Sequence, residues 1–162
     1  MKHLNKTLTT LLLSTTLAWA LPGYKQLCAE LPDLSGWKTE QCSGMTMSNP
    51  MLGGEMVTAS RTYTKGNASL EVTVVTGMQA MMMWAPYSSG MQMENDEELI
   101  KIEKIDGFGV GIGYDKKAHS GTIVVQLSQN AVLGVTFEGK QWQEALKEAK
   151  KLHWKKLRSL FQ

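Results

Sequence analysis

Methionine is the residue type whose number and spacing in this sequence most suggest chemistry. Ten of the eleven methionines lie between Met45 and Met93, in two Met-x-Met patterns, a run of three and scattered single positions. Thioether sulfur is a soft ligand that prefers Cu(I), and unlike a thiol it is not consumed by disulfide formation. One hypothesis is therefore a Cu(I) site outside the cytoplasm, with copper as the cofactor and as ligands Met45, Met47, Met81, Met82, Met83, Met91 and Met93.

The same methionines are also typical of an adaptable apolar surface. Methionine is unbranched and flexible, so it fills irregular gaps and suits surfaces that accept a partner. In this interpretation Trp84 and Tyr87 contribute to the ligand surface, and the partner is a protein or an apolar ligand. Packing in a core or loop, and sacrificial oxidation to the sulfoxide, are two further explanations. Surface binding is the leading functional hypothesis, and Cu(I) binding is the alternative.

Motifs for enzymatic catalysis are not found in the sequence. It contains no Gly-x-Ser-x-Gly, no His-Glu-x-x-His and no phosphate-binding loop. After position 20 the histidines are His119 and His153, and His119 lies near Asp115 and Ser120. Such a short loop does not by itself form a catalytic triad. We therefore expect a non-enzymatic protein with no catalytic residues and, copper apart, no cofactor, and an enzyme of unknown class is the third hypothesis.

The two cysteines, Cys28 and Cys42, predict one structural disulfide. It closes a short loop and stabilises the fold by about 3 kcal/mol. The spacing is not that of a Cys-x-x-Cys redox motif, and no histidines lie nearby to complete a zinc site. Free thiols remain the main alternative.

The first twenty residues have the three parts of a cleavable signal peptide. Lys2 and Lys6 precede an uncharged stretch rich in Leu and Thr, and residues 18–20 form a small-x-small cleavage site. The apolar stretch is shorter than the roughly 20 residues that a membrane span needs. We expect export to the periplasm or secretion of one domain, residues 21–162, without a stable membrane span.

Signal cleavage also changes the charge. The chain has 17 basic and 15 acidic residues, and the first twenty contain two lysines and no acidic residue. The exported domain is therefore formally neutral. A neutral domain lacks the basic excess that is typical of nucleic-acid binding, so we expect no nucleic-acid partner.

Period-two alternation and turn residues predict a strand-rich domain after a short N-terminal helix at 23–31. Residues 36–42 favour a first strand, residues 43–56 are rich in turn formers, and residues 77–93 favour a helical turn or two before Pro86. Further strands are predicted at 57–64, 69–76, 99–105, 108–114, 122–127 and 132–137. An apolar stripe from Gln141 to Leu160 predicts one amphipathic helix of about five turns.

These elements predict an α+β two-layer sandwich. A sheet of six or seven mostly antiparallel strands needs a covered face, and the long C-terminal helix offers the apolar stripe to cover it.

The strand at 107–113 alternates glycine with large apolar residues. One face of the strand carries Phe108, Val110 and Ile112, whereas the other carries only hydrogen atoms. Such a face allows close approach of a helix or a tryptophan, marks a bulge, or forms the floor of a ligand groove. All three interpretations remain open from the sequence.

Overall fold

The computed structural model describes residues 20–162, apart from the side chain of Leu52. The predicted signal peptide lies almost entirely outside the described residues and remains a prediction. The strands are β1 (Lys38–Thr39), β2 (Ser43–Asn49), β3 (Gly54–Lys65), β4 (Ala68–Thr76), β5 (Met93–Glu94), β6 (Glu98–Ile105), β7 (Phe108–Asp115), β8 (Ser120–Ser128) and β9 (Ala131–Glu138). The helices are α1 (Tyr24–Ala29), α2 (Met78–Ser88), α3 (Trp142–Ala149) and α4 (Trp154–Ser159), and a 3-10 turn (Pro50–Leu52) joins β2 to β3.

All nine of these strands join one antiparallel sheet in the order β1-β3-β4-β9-β8-β7-β6-β5, and β2 pairs with β3 at the same edge as β1. After the β3–β4 hairpin the chain crosses the sheet through α2 to the far edge. Strands β5 to β9 then return one by one until β9 pairs with β4. The α+β class and the antiparallel sheet agree with the sequence prediction, although the sheet has more strands than expected.

The main core lies on one face of the sheet, which we call the core face. Alternate strand residues such as Val57, Val72 and Val135 point to this face and are fully buried. Helices α1, α3 and α4 cover it, with Leu27 and Leu157 among the buried helix residues. The alternate apolar residues of the strands are thus buried in the core, as the period-two pattern of the sequence predicts.

The prediction of one long C-terminal helix is wrong. The chain forms two short helices, α3 and α4, with a turn at residues 150–153 between them. Trp154 Nε1 donates a hydrogen bond to the carbonyl of Ala149 at 2.8 Å, which satisfies the end of α3. The break also turns the Trp154 ring onto Phe108, with centroids 5.5 Å apart in an edge-to-face arrangement. Core packing of this tryptophan accounts for the interruption.

Two predictions near the N-terminus also need correction. The first strand is only the two residues of β1, and residues 43–49, expected to be turn-rich, form β2. Strand β2 pairs with β3 along its whole length. Serine, glycine and asparagine in this segment obscure the period-two placement of Met45 and Met47.

The predicted disulfide is confirmed: Cys28 in α1 is bonded to Cys42, directly before β2. The bond ties the first helix to the start of the edge strand. Within residues 20–162, no helix combines the length and the apolar character needed to span a bilayer.

Candidate functional site

Helix α2 lies on the second face of the sheet, opposite the main core, and it covers the glycines of β7. A Cβ atom added at Gly111 would lie 2.3 Å from Cγ of Tyr87, and one at Gly109 would lie 3.1 Å from Trp84. Helix α2 therefore packs directly on the strand where side chains are missing. Of the three interpretations of the glycine strand, close approach of a helix is confirmed.

The two aromatic residues predicted to form a ligand surface anchor this helix. Tyr87 is buried, and it belongs to a small second core with Val75, Val124 and Val132. Trp84 is half-buried, and its ring centroid lies 5.7 Å from that of Tyr87. Burial raises the pKa of the Tyr87 hydroxyl above its ordinary value, which keeps the side chain neutral. Because Tyr87 is buried, its ring offers little surface to an external ligand.

Strand register places four methionines on the same face as α2. Met47 pairs with Met56, and Met45 pairs with Thr58, which in turn pairs with Val75 beneath α2. Directly paired residues of antiparallel strands point to the same face. By the same argument Met93 of β5 lies on this face, because it pairs with Ile100 of the second core. We call this side of the sheet, together with α2, the methionine face.

The remaining six methionines after position 20 lie on α2 or in connections between elements. Met78, Met81, Met82 and Met83 are in α2, Met51 is in the turn between β2 and β3, and Met91 follows α2. No methionine of residues 20–162 belongs to the main core. Eight of the ten are exposed: Met45, Met47, Met51, Met78, Met81, Met82, Met91 and Met93.

Helix α2 lacks the charged outer surface that is usual for a surface helix. Its sequence from Met78 to Ser88 contains no charged residue. Met81 and Met82 are 52% and 69% exposed, whereas Met83 is half-buried because its methyl group lies over Gly134. A helix whose inner and outer sides are both apolar is usually covered on both sides.

The seven methionines predicted as copper ligands do not come together in one place. Consecutive residues of a helix point in directions about 100° apart, so the run from Met81 to Met83 diverges. Strands β2 and β5 are seven steps apart in the sheet, which is about 34 Å along it. Met45 and Met47 are therefore distant from Met93, and the residue beside them is Met56, which the sequence prediction omitted.

The histidines occupy structural hydrogen-bonding positions. His119 Nδ1 lies 3.0 Å from the Tyr114 hydroxyl and 3.3 Å from Gln141 Nε2. The Asp115 carboxylate accepts backbone N–H groups of its own loop. His153 pairs with Glu30 at 3.2 Å. Among residues 20–162, no three His, Cys, Asp or Glu side chains are grouped to hold a metal ion.

No protein family, no curated protein and no solved structure matches this chain.

Proposed function

We propose that this protein is an exported, non-enzymatic binding protein whose methionine face docks a protein partner through α2. The observation that supports the proposal is the separation of methionine from the main core. Of the ten methionines after position 20, four lie on α2 and four on the sheet face that α2 covers, none belongs to the main core, and eight are exposed. Core filling would bury them instead. Flexible thioether side chains at a surface are suited to apolar contacts with a partner.

Shape and charge favour a protein partner with an apolar groove. A small apolar ligand needs a concave site, whereas a helix lying on a sheet presents a convex ridge. An amphipathic helix laid in the groove of a partner is a common mode of recognition. Membrane-surface helices usually carry Lys or Arg beside their apolar face, and α2 carries neither. A protein groove is therefore a better match than a lipid surface.

Export is part of this proposal. The Cys28–Cys42 disulfide is compatible with an oxidising compartment. Expression of the full chain in a secreting host, followed by N-terminal sequencing, tests it. We expect the exported protein to begin at Leu21, and retention of an intact N-terminus inside the cell would contradict export.

Site-specific photo-crosslinking in the source cells tests docking. A photoreactive residue at position 82 is compared with one at position 51, because Met51 is 95% exposed but lies outside α2. We expect one discrete protein adduct from position 82 and none from position 51. The adduct should disappear when Met78→Glu and Met81→Glu introduce charge on the outer side of α2, and should persist with the matched variant Met51→Glu.

Three other outcomes contradict a protein-groove partner. Equal adducts from both positions indicate nonspecific contact. An adduct of twice the chain mass indicates a second copy of this protein. Co-sedimentation of the purified protein with neutral lipid vesicles, lost with Met78→Glu and Met81→Glu, indicates a lipid surface.

A second candidate function is extracytoplasmic Cu(I) binding, which soft thioether ligands support. The specific observation in its favour is the grouping of three methionines on the β2–β3 ribbon.

A further inference from the structure

The β2–β3 ribbon brings three thioether side chains to one face at the edge of the sheet. Met47 pairs with Met56, and Met45 lies two residues from Met47 on the same strand. Directly paired residues have Cβ atoms about 5 Å apart, and diagonal neighbours about 7–8 Å apart. Each methionine has three rotatable bonds beyond the backbone, so the three sulfur atoms can converge on one point above the ribbon.

The surroundings of the three methionines are uncharged and open. Met45 is 57% exposed, Met47 is 41% exposed and Met56 is half-buried. Neither β2 nor the adjoining α2 contains a charged residue, so no fixed cation of these elements opposes a bound one. The adjacent Glu55 points to the opposite face, by strand alternation. The ligand atoms offered here are therefore sulfur rather than oxygen.

Contacts on both sides hold the ribbon in place. A Cβ at Gly44 would lie 2.2 Å from the carbonyl oxygen of Thr58 and 2.8 Å from Cβ of Tyr24, so β2 packs tightly between β3 and α1. A Cβ at Gly77 would lie 3.3 Å from Cγ of Met56, which places Met56 beside the start of α2. The backbone that presents the three side chains is therefore fixed before any ligand arrives.

We propose that Met45, Met47 and Met56 bind one Cu(I) ion. Cu(I) is a soft d10 ion, so it imposes no ligand-field geometry and accepts a trigonal set of thioethers. Thioethers do not titrate, so this site binds without proton release, unlike a site of thiols or imidazoles. The metal is bound and released without a change of oxidation state. This inference deepens the second candidate function and does not depend on docking by α2.

Competition with a chromogenic Cu(I) chelator, bathocuproine disulfonate, tests the site in the purified protein. We expect the protein to withdraw one equivalent of Cu(I). Residues that only hydrogen-bond to a metal's ligands change metal affinity by about 10- to 100-fold. Replacement of all three ligands should therefore weaken Cu(I) binding by at least about tenfold. The test variant is Met45→Leu, Met47→Leu and Met56→Leu, in which leucine preserves side-chain volume.

The matched control carries Met81→Leu and Met82→Leu, which change exposed methionines of α2. It should bind Cu(I) as the unaltered protein does. The proposal is overturned if the unaltered protein takes no Cu(I), if the triple variant binds equally well, or if the α2 control loses as much affinity.

Nuclear magnetic resonance of the unaltered protein tests the same site without a substitution. Titration with Ag(I), a soft ion that is not oxidised in air, should shift the methyl resonances of Met45, Met47 and Met56 together and saturate at one equivalent. Shifts confined to the α2 methionines would overturn the assignment. Loss of docking in α2 variants leaves this result unchanged, so the two proposals fail independently.

Discussion

The ring of Tyr87 lies directly on the backbone of Gly111. A Cβ at that glycine would be 2.3 Å from Cγ of the ring and 2.4–2.5 Å from its Cδ atoms. The contact fixes α2 on the sheet, and through α2 it fixes the position of the exposed methionines.

Gly111→Ala should therefore destabilise the fold. The methyl group forces the buried ring and its helix away from the sheet, and overpacking of this kind costs about 1–3 kcal/mol. Urea unfolding followed by circular dichroism measures the change. Gly113→Ala is the matched control, because its Cβ meets only the Tyr87 hydroxyl at 3.2 Å.

A double substitution shows whether the clash is with Tyr87. In a Tyr87→Leu background, Gly111→Ala should cost less than in the unaltered protein, because the ring is gone. An unchanged cost in that background, or an equal cost for Gly113→Ala, would argue against the contact.

Stability should fall in strongly alkaline solution. Burial raises the pKa of Tyr87 above the ordinary value of 10.0, and burial also raises the pKa of Tyr63 and Tyr114. Above pH 10 the unfolded chain loses these protons first, so the free energy of unfolding falls as pH rises from about 10 toward the folded-state pKa values. Below that window these groups make no pH-dependent contribution.

Tyr87→Phe should flatten this alkaline loss but not abolish it, because Tyr63 and Tyr114 still titrate. Chemical unfolding of both proteins between about pH 9 and pH 11 gives the two profiles. Parallel profiles would mean that the Tyr87 hydroxyl has the same pKa in the folded and unfolded states.

Mild peroxide should oxidise the methionines in the order of their exposure. Met51 is 95% exposed and Met82 is 69% exposed, whereas the methyl group of Met83 packs over Gly134. We expect sulfoxide to form at Met51 and Met82 well before Met83. Tandem mass spectrometry of proteolytic peptides resolves the three positions.

Oxidation in denaturant is the control, because unfolding exposes Met51, Met82 and Met83 equally and should make their rates of oxidation equal. If Met83 were oxidised in the native protein as fast as Met82, helix α2 would not be docked on the sheet as described.

Loss of the disulfide should destabilise the protein by about 3 kcal/mol, as expected for a loop of this size. The bond joins residues separated by 14 positions. Cys28→Ser combined with Cys42→Ser tests this in urea unfolding, and reduction of the unaltered protein should give the same midpoint. A midpoint equal to that of the oxidised protein would show that the bond adds nothing to stability.

Local pattern predicted most of the sheet correctly. Strands β6 to β9 agree with the predicted ranges to within two residues at each end, because their runs of β-branched and apolar residues are bounded by turn-forming residues. The C-terminal break was also visible as a defect in spacing. After Leu152 the next residue of the apolar stripe is Leu157, five positions further on. A continuous helix would place an apolar residue between them at helical spacing, but those positions are held by His153, Lys155 and Lys156.

The grouping of Met47 with Met56 could have been found from the sequence only by interpreting the intervening segment as a hairpin connection. Both residues are equally distant from its centre, between Met51 and Leu52.

The placement of α2 could not have been found in this way. It depends on pairing between β4 and β9, which are far apart along the chain, and no local pattern specifies that register.

The β4–β9 ladder has a kinetic consequence. The β3–β4 hairpin and the β5–β9 meander each form from neighbouring segments, but this ladder joins strands separated by α2 and four further strands. Closing so long a loop opposes its formation through chain entropy, so we expect it to form late in folding. Until then β4 and β9 are unpaired edges next to uncovered apolar surface, which makes the half-assembled chain the species most exposed to aggregation.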